Sequence, residues 1–225
     1  MALESEASGK HCMRCGECCL KSSPTLHAVD LRLIQEGRIL KRDIYAIRPG
    51  ELVRDNICDQ LKITEIELIK VREKGAGKGC IYYDDDSKAC RIYEYRPSQC
   101  SAFLCWDDRE FVRVYERPKL DRNEIIQDKD LLDLIAQHEK RCGYRALEKL
   151  VMRIETLGEK AVEEILSILR FDHELRPLVS EKMGVAAGEM DLIFGRPLAE
   201  TIAMFGLQVI KQPDGSFFLT ADQSP

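Results

Sequence analysis

No stretch of this 225-residue chain approaches the roughly 18 consecutive apolar residues of a membrane span, so no membrane partner is expected. The opening segment MALESEASGK is polar and has no apolar core to serve as an export signal, which makes the cytoplasm the expected location. Lys and Arg form no block or dense stripe against a formal net charge of −5, so no nucleic-acid partner is expected through phosphate contacts. Also missing are GxSxG, HExxH and the glycine fingerprint of nucleotide sites. The run Gly75-Ala76-Gly77-Lys78-Gly79 lacks the spacing of a phosphate loop and reads as a flexible connection. Asp84, Asp85 and Asp86 lack the ligand spacing of a calcium loop and read as a solvated turn. What remains is a composition, 44% hydrophobic and 32% charged, that can bury a core as one sizeable domain or two small ones.

Cysteine is what the chain has in excess, with ten residues. Four fall in Cys12-x-x-Cys15-x-x-Cys18-Cys19, and four more are Cys80, Cys90, Cys100 and Cys105. A reducing cytoplasm disfavours disulfides, so these thiols point to a bound metal. A C-x2-C-x2-C run supplies three of four ligands in many iron–sulfur proteins, whereas zinc more often takes separated C-x2-C pairs. Here the two pairs overlap at Cys15, which favours an iron–sulfur cluster over zinc. In extended backbone, adjacent side chains point to opposite sides. Cys18 and Cys19 are therefore expected to serve different centres, or one of them a redox role beside the first. Two four-sulfur sites are the simplest division; one such site plus a dithiol pair is the alternative. Cys58 and Cys142 stand alone among polar neighbours and read as free thiols, so Cys142→Ser is expected to do little. His11 reads as a solvated histidine near the chain start, and His138 and His173 as structural or surface residues.

The expected fold is α+β. A cysteine-rich unit with few short strands, residues 1–120, packs against a helical region, 121–206, followed by a hairpin and tail, 207–225. Within the first unit, residues 30–40 read as a short helix with Leu31, Ile34 and Ile39 inward. The β-branched stretch 61–71 reads as one strand, and Phe111, Val112 and Val114 as another. Beyond them, Leu131, Leu134, Ile135 and His138 share a helical face, and Leu147, Leu150, Val151, Ile154 and Leu157 continue that rhythm to a cap at Gly158. Val162, Ile165, Leu166 and Leu169 carry the next helix. Asp172 could cap a further one, which Pro177 would interrupt outside its first turn. Pro197 suits the first turn of a helix ending near Gly206, and residues 209–219 read as the hairpin.

The motif Cys12-Met13-Arg14-Cys15-Gly16-Glu17-Cys18-Cys19, then Cys80, then Cys90-Arg91-Ile92-Tyr93-Glu94-Tyr95-Arg96-Pro97-Ser98-Gln99-Cys100 with Phe103, resembles the YkgJ-type cysteine-cluster proteins. Those carry CxxCxxCC and CxIYxxRPxxC motifs and are regarded as chelators of zinc or iron. The resemblance covers about residues 10–106. The flagellin lysine-N-methylase FliB is similar through the same cysteine pattern, and that likeness implies an iron–sulfur cluster. The second half shows no identifiable methyl-donor site, so the methylase activity is not carried over. Ile92 and Tyr93 are placed to pack over the sulfurs. Arg96 could pair with their negative charge or make a surface salt bridge, and Pro97 sets the chain direction before Cys100. The expected function is metal binding through Cys12, Cys15, Cys18, Cys19, Cys80, Cys90, Cys100 and Cys105. An iron–sulfur guest would bring a redox role, whereas zinc would build the fold. The alternatives are an oxidoreductase or protein-modifying enzyme using the cluster, and a zinc-stabilised adaptor or metal-handling module.

Overall fold

The computed structural model describes residues 15–55, 57–58, 60–75, 79–212 and 215–221. Short elements dominate its first half. Helix α1 (Glu17–Lys21) carries Cys18 and Cys19, and α2 (Leu31–Gln35) follows a 3-10 turn. Strand β1 (Ile44–Ile47) is buried along its whole length, as its sequence IYAI allows. Strands β2 (Leu52–Arg54), β3 (Leu61–Ile63) and β4 (Leu68–Val71) come next. β4 pairs antiparallel with β1, matching Ile44 to Val71 and Ile47 to Leu68, while β3 pairs with β2. Strands β5 (Tyr83–Asp84) and β6 (Ala89–Cys90) form a minimal hairpin around the acidic turn, where Asp84 accepts from the Ser87 backbone N–H at 2.8 Å. Helices α3 (Ser98–Ala102) and α4 (Arg109–Tyr115) close the cysteine-rich half.

The second half is helical: α5 (Arg122–Ile125), α6 (Lys129–Cys142), α7 (Tyr144–Val151), α8 (Ile154–Leu157), α9 (Glu159–Met183), α10 (Met190–Phe194) and α11 (Leu198–Thr201). The chain ends in the hairpin of β7 (Leu207–Lys211) and β8 (Phe217–Ala221), as expected from its sequence. The fold is thus α+β, with the cysteine-rich half packed on the helices. One apolar cluster joins Leu26, Ile44, Ile69 and Val71 to Leu120, Leu192 and Phe194, so α10 lies on the β1–β4 pair. A second gathers Cys142, Tyr144, Leu147, Ile165, Leu169 and Leu198, with the terminal hairpin laid against it. Among the described residues, no helix is long and apolar enough to cross a membrane.

Four local readings are corrected. The helix expected over 30–40 stops after Gln35, because the N–H groups of Arg38 and Ile39 both turn back to the Leu33 carbonyl. Leu33 is therefore the fully buried residue of that turn, with Leu31 and Ile34 half-buried beside it. The single strand over 61–71 is two strands on different partners, separated where Thr64 exchanges backbone bonds with Gly50 and Glu51. Phe111, Val112 and Val114 lie on helix α4, not a strand. There Phe111 meets Tyr115 one turn on, at 6.2 Å between ring centres, and Phe103 edge-on at 5.5 Å. Asp172 starts no new helix: α9 runs unbroken through it and through Pro177. Pro177 is exposed, and burial of Leu169, Asp172, Arg176 and Val179 on the opposite face outweighs the one backbone bond it lacks.

Asp172 is instead a buried acceptor. His138 Nε2 donates to it at 2.8 Å, the Arg176 guanidinium at 2.9 Å and the Leu198 N–H at 3.0 Å. Nearby, Arg48 is wholly enclosed. Its Nη1 donates to the Cys142 carbonyl and Glu139, and its guanidinium stacks 4.6 Å from the Tyr144 ring. Arg122 reaches Glu67, Glu139 and the Ile193 carbonyl. These buried cations tie the cysteine-rich half to the helices at defined positions.

Candidate metal centre

The N-terminal cysteines enter the structure on a tight turn. Gly16 has φ +81° and lies against Tyr83, where a Cβ would overlap the phenol. The chain then coils into α1, Leu20 N–H donating to the Gly16 carbonyl at 2.8 Å. Cys18 and Cys19 are thus in helical backbone, turned about 100° from one another and not 180°. Their sulfurs lie 3.9 Å apart. The expectation that Cys18 and Cys19 serve different centres, or one of them a redox role, rested on extended backbone, and that premise is corrected here.

A second close approach brings Cys80 to α1. The Cys80 N–H donates to the Cys19 carbonyl at 2.6 Å. Gly79 makes this possible: it has φ +79°, and a Cβ there would come within 2.7 Å of the Cys19 carbonyl oxygen. Cys80 also forms a backbone β-bridge with Glu73, and the residue is buried. Cys90 sits on β6 opposite Tyr83, packed with Cys19 and Ile92 against the main apolar cluster. Cys100 is half-buried in the middle of α3. Cys15 and Cys105 are exposed, the latter in the turn between Leu104 and Asp107. Cys12 and His11 lie outside the described residues. Among the described residues, no group of three or more Cys, His, Asp and Glu is set at metal-holding distance.

Electrostatics nonetheless links five of the sulfurs. The contact with Cys19 lowers the Cys18 thiol to about 6 against the effect of burial, and the Arg96 charge helps. Cys19 is pushed up by that same contact, then by burial and by Cys18, Cys100 and Cys90. Burial raises Cys100, and the negative charge of Cys80, Cys90 and Cys18 adds to it while Arg96 opposes. Burial likewise raises Cys80 and Cys90. Crowded thiols that resist ionisation together are what a cation relieves, since a coordinating thiol is deprotonated by the metal's own charge. The donor chemistry therefore fits zinc or iron. Zn–S bonds of about 2.3 Å in a tetrahedron set neighbouring sulfurs about 3.8 Å apart, close to the Cys18–Cys19 separation.

Arg96 is half-buried. Its Nε donates to the Tyr93 carbonyl at 3.0 Å and its guanidinium lies 3.9 Å from the Tyr93 ring centre. Among the described residues it forms no ion pair with a carboxylate, and its charge acts on Cys18, Cys90 and Cys100. Of the two expected packers, Ile92 joins the core beside Cys90, while Tyr93 supports Arg96.

Three residues that hold this site were not found from sequence. Gln99 Nε2 donates to His27 Nε2 at 3.1 Å, and Gln99 Oε1 accepts from the Thr25 N–H at 2.9 Å. The other nitrogen of His27 is within 3.2 Å of the Arg117 and Pro118 carbonyls. Asp30 accepts from both the N–H and the hydroxyl of Ser98 at 2.8 Å, which satisfies the start of the turn that carries Cys100. A polar Gln99 inside the second motif was an available signal. His27 and Asp30 carry none, since their partners lie far along the chain. Cys142, read as a free thiol among polar neighbours, is wholly buried in the second cluster, and burial pushes its thiol up to about 12.

The fold and site define a thiol-rich unit built of short elements on a helical support. Residues 11–117 match the family model named CxxCxxCC, described as "Putative zinc- or iron-chelating domain". No solved structure matches the chain.

Proposed function

We propose that this protein binds zinc or iron through Cys12, Cys15, Cys18, Cys19, Cys80, Cys90, Cys100 and Cys105, with residues 1–120 as the metal-holding unit and the helical region, 121–206, as its support. The observation that carries this reading is the juxtaposition of Cys18 and Cys19 at 3.9 Å, with Cys80 hydrogen-bonded onto the same short helix. That spacing favours mononuclear four-thiolate ions, two for the eight cysteines, whose role is to build the fold of the first half. Cytoplasmic reductants would keep the thiols available for it.

A second reading, an iron–sulfur cluster with a redox role, is favoured by the C-x2-C-x2-C spacing of Cys12, Cys15 and Cys18. Anaerobic purification followed by metal analysis and acid-labile sulfide determination separates the two. Stoichiometric zinc or iron without sulfide supports the mononuclear sites; iron with equimolar sulfide and visible sulfur-to-iron absorption supports the cluster. A chain that holds no metal after anaerobic purification and reconstitution sinks both.

A further inference from the structure

An open cleft of about 450 Å³ lies between the 3-10 turn before α2, α3 and α4. That volume is within the usual range for small-molecule sites. Its lining includes Arg32, Arg96 and Arg117 together with the apolar Val29, Ala102, Leu104 and Val114. The charge balance of this lining is unusual. Arg32 and Arg117 make no ion pair among the described residues, and Arg96 spends only Nε, on the Tyr93 carbonyl. The two carboxylates at the cleft are already committed. Asp30 accepts from the His27 N–H and twice from Ser98, and Glu110 is paired with Arg113. The Ser98 hydroxyl donates to Asp30 and the Ser101 hydroxyl to the Arg96 carbonyl, so the free donors are guanidinium N–H groups.

Three guanidinium groups line one cleft against the single negative charge of Asp30, whose hydrogen-bond donors are neutral, and Glu110, whose charge Arg113 balances, so the cleft carries excess positive charge and forked donors. A carboxylate or phosphate satisfies such donors in pairs, by charge-assisted hydrogen bonds. The apolar side chains of the lining offer contact to a short carbon body. We propose that this cleft binds a metabolite-sized molecule through a carboxylate or phosphate group, beside the sulfur centre. Arg96 borders both sites, and α3 carries Cys100 as well as three residues that line the cleft. The anion site and the thiol centre therefore share a helix and a cation.

Isothermal titration of the full chain at low ionic strength, with inorganic phosphate in one series and succinate in another, tests this. One saturating event per chain is expected for at least one probe, and the preferred probe tells phosphate from carboxylate. Arg32→Gln and Arg117→Gln should each weaken that binding about tenfold, the equivalent of about 1.4 kcal/mol. Arg145→Gln, on α7 and outside the cleft, should leave it unchanged. Arg32→Lys should restore part of the loss, as a charge without the fork. The proposal is overturned if neither probe saturates, or if Arg145→Gln weakens binding as much as the cleft variants do. Metal content measured on the same samples keeps the questions apart: anion binding by a metal-free chain would leave this site standing and count against the thiol centre.

Discussion

The Gln99 side chain reaches across to His27, Nε2 to Nε2 at 3.1 Å, and so pins the turn carrying Cys100 to the segment that follows the CxxCxxCC run. The geometry sets the tautomer: His27 donates from Nδ1 to the Arg117 and Pro118 carbonyls and accepts at Nε2. His27 is wholly buried, and burial, seconded by the nearby Lys119 charge, lowers its affinity for a proton.

Gln99→Leu should therefore strand the His27 Nε2 and the Thr25 N–H, each at a cost of about 1–3 kcal/mol. A drop of that size in the urea midpoint, with weaker metal retention against a chelator, is the expected result. Unchanged metal retention would mean that the clamp supports the fold alone.

Gly79→Ala should be worse for the metal site than for the helical half. The substitution forces a side chain onto a φ of +79°, a conformation costing roughly 1–2 kcal/mol without glycine. It also drives a Cβ into the Cys19 carbonyl. Metal stoichiometry should fall, while the far-ultraviolet helical signal is largely retained.

Cys15→Ser and Cys142→Ser should separate ligand from core. Cys15→Ser is expected to strip metal and lower the stability of the first half. Cys142→Ser should leave metal content alone, but a hydroxyl in place of a wholly buried thiol lowers overall stability by about 1–3 kcal/mol. Equal metal loss in both would remove the distinction on which the ligand assignment rests.

Acid should weaken the protein in two stages through His138 and Asp172. Burial, against the pull of Asp172 and with help from the Arg48 charge, holds His138 neutral below its ordinary range. The unfolded chain therefore takes up this proton first, and stability falls as pH drops below about 6.5. Burial opposes ionisation of Asp172, but the His138 bond and Arg176 outweigh it and hold the carboxyl at about 2. Its contribution is complete above the unfolded carboxylate value of about 3.9 and is lost as pH falls from there toward 2. Denaturation at intervals from pH 7.5 to 5 should show a shallower pH slope for His138→Gln than for the parent, the rest of the slope including His27 and the Cys18 thiol.

The order of the cysteines, the two motifs, the helical stripes of α6 and α9 and the terminal hairpin were legible because each is written within a few residues. Spacing along the chain is enough to express ligand runs, apolar periodicity and a turn. The same local view misread Phe111 to Val114, whose β-branched composition suits a strand, because ring contacts with Phe103 and Tyr115 settle it as a helix. It also misread Cys18 and Cys19, since the direction of adjacent side chains depends on whether the backbone is extended or coiled.

By itself, then, the sequence determined that this is an α+β chain with its thiols concentrated ahead of a helical half. Only the tertiary structure decided which sulfurs influence one another, that Asp172 is an acceptor inside an unbroken helix, and that His27 anchors the Cys100 turn. The reason is reach. Gln99 and His27 are 72 residues apart in the chain, and His138 and Asp172 are 34 apart. Burial, which sets the cost of leaving any of them unpaired, exists only once those distant segments have packed together.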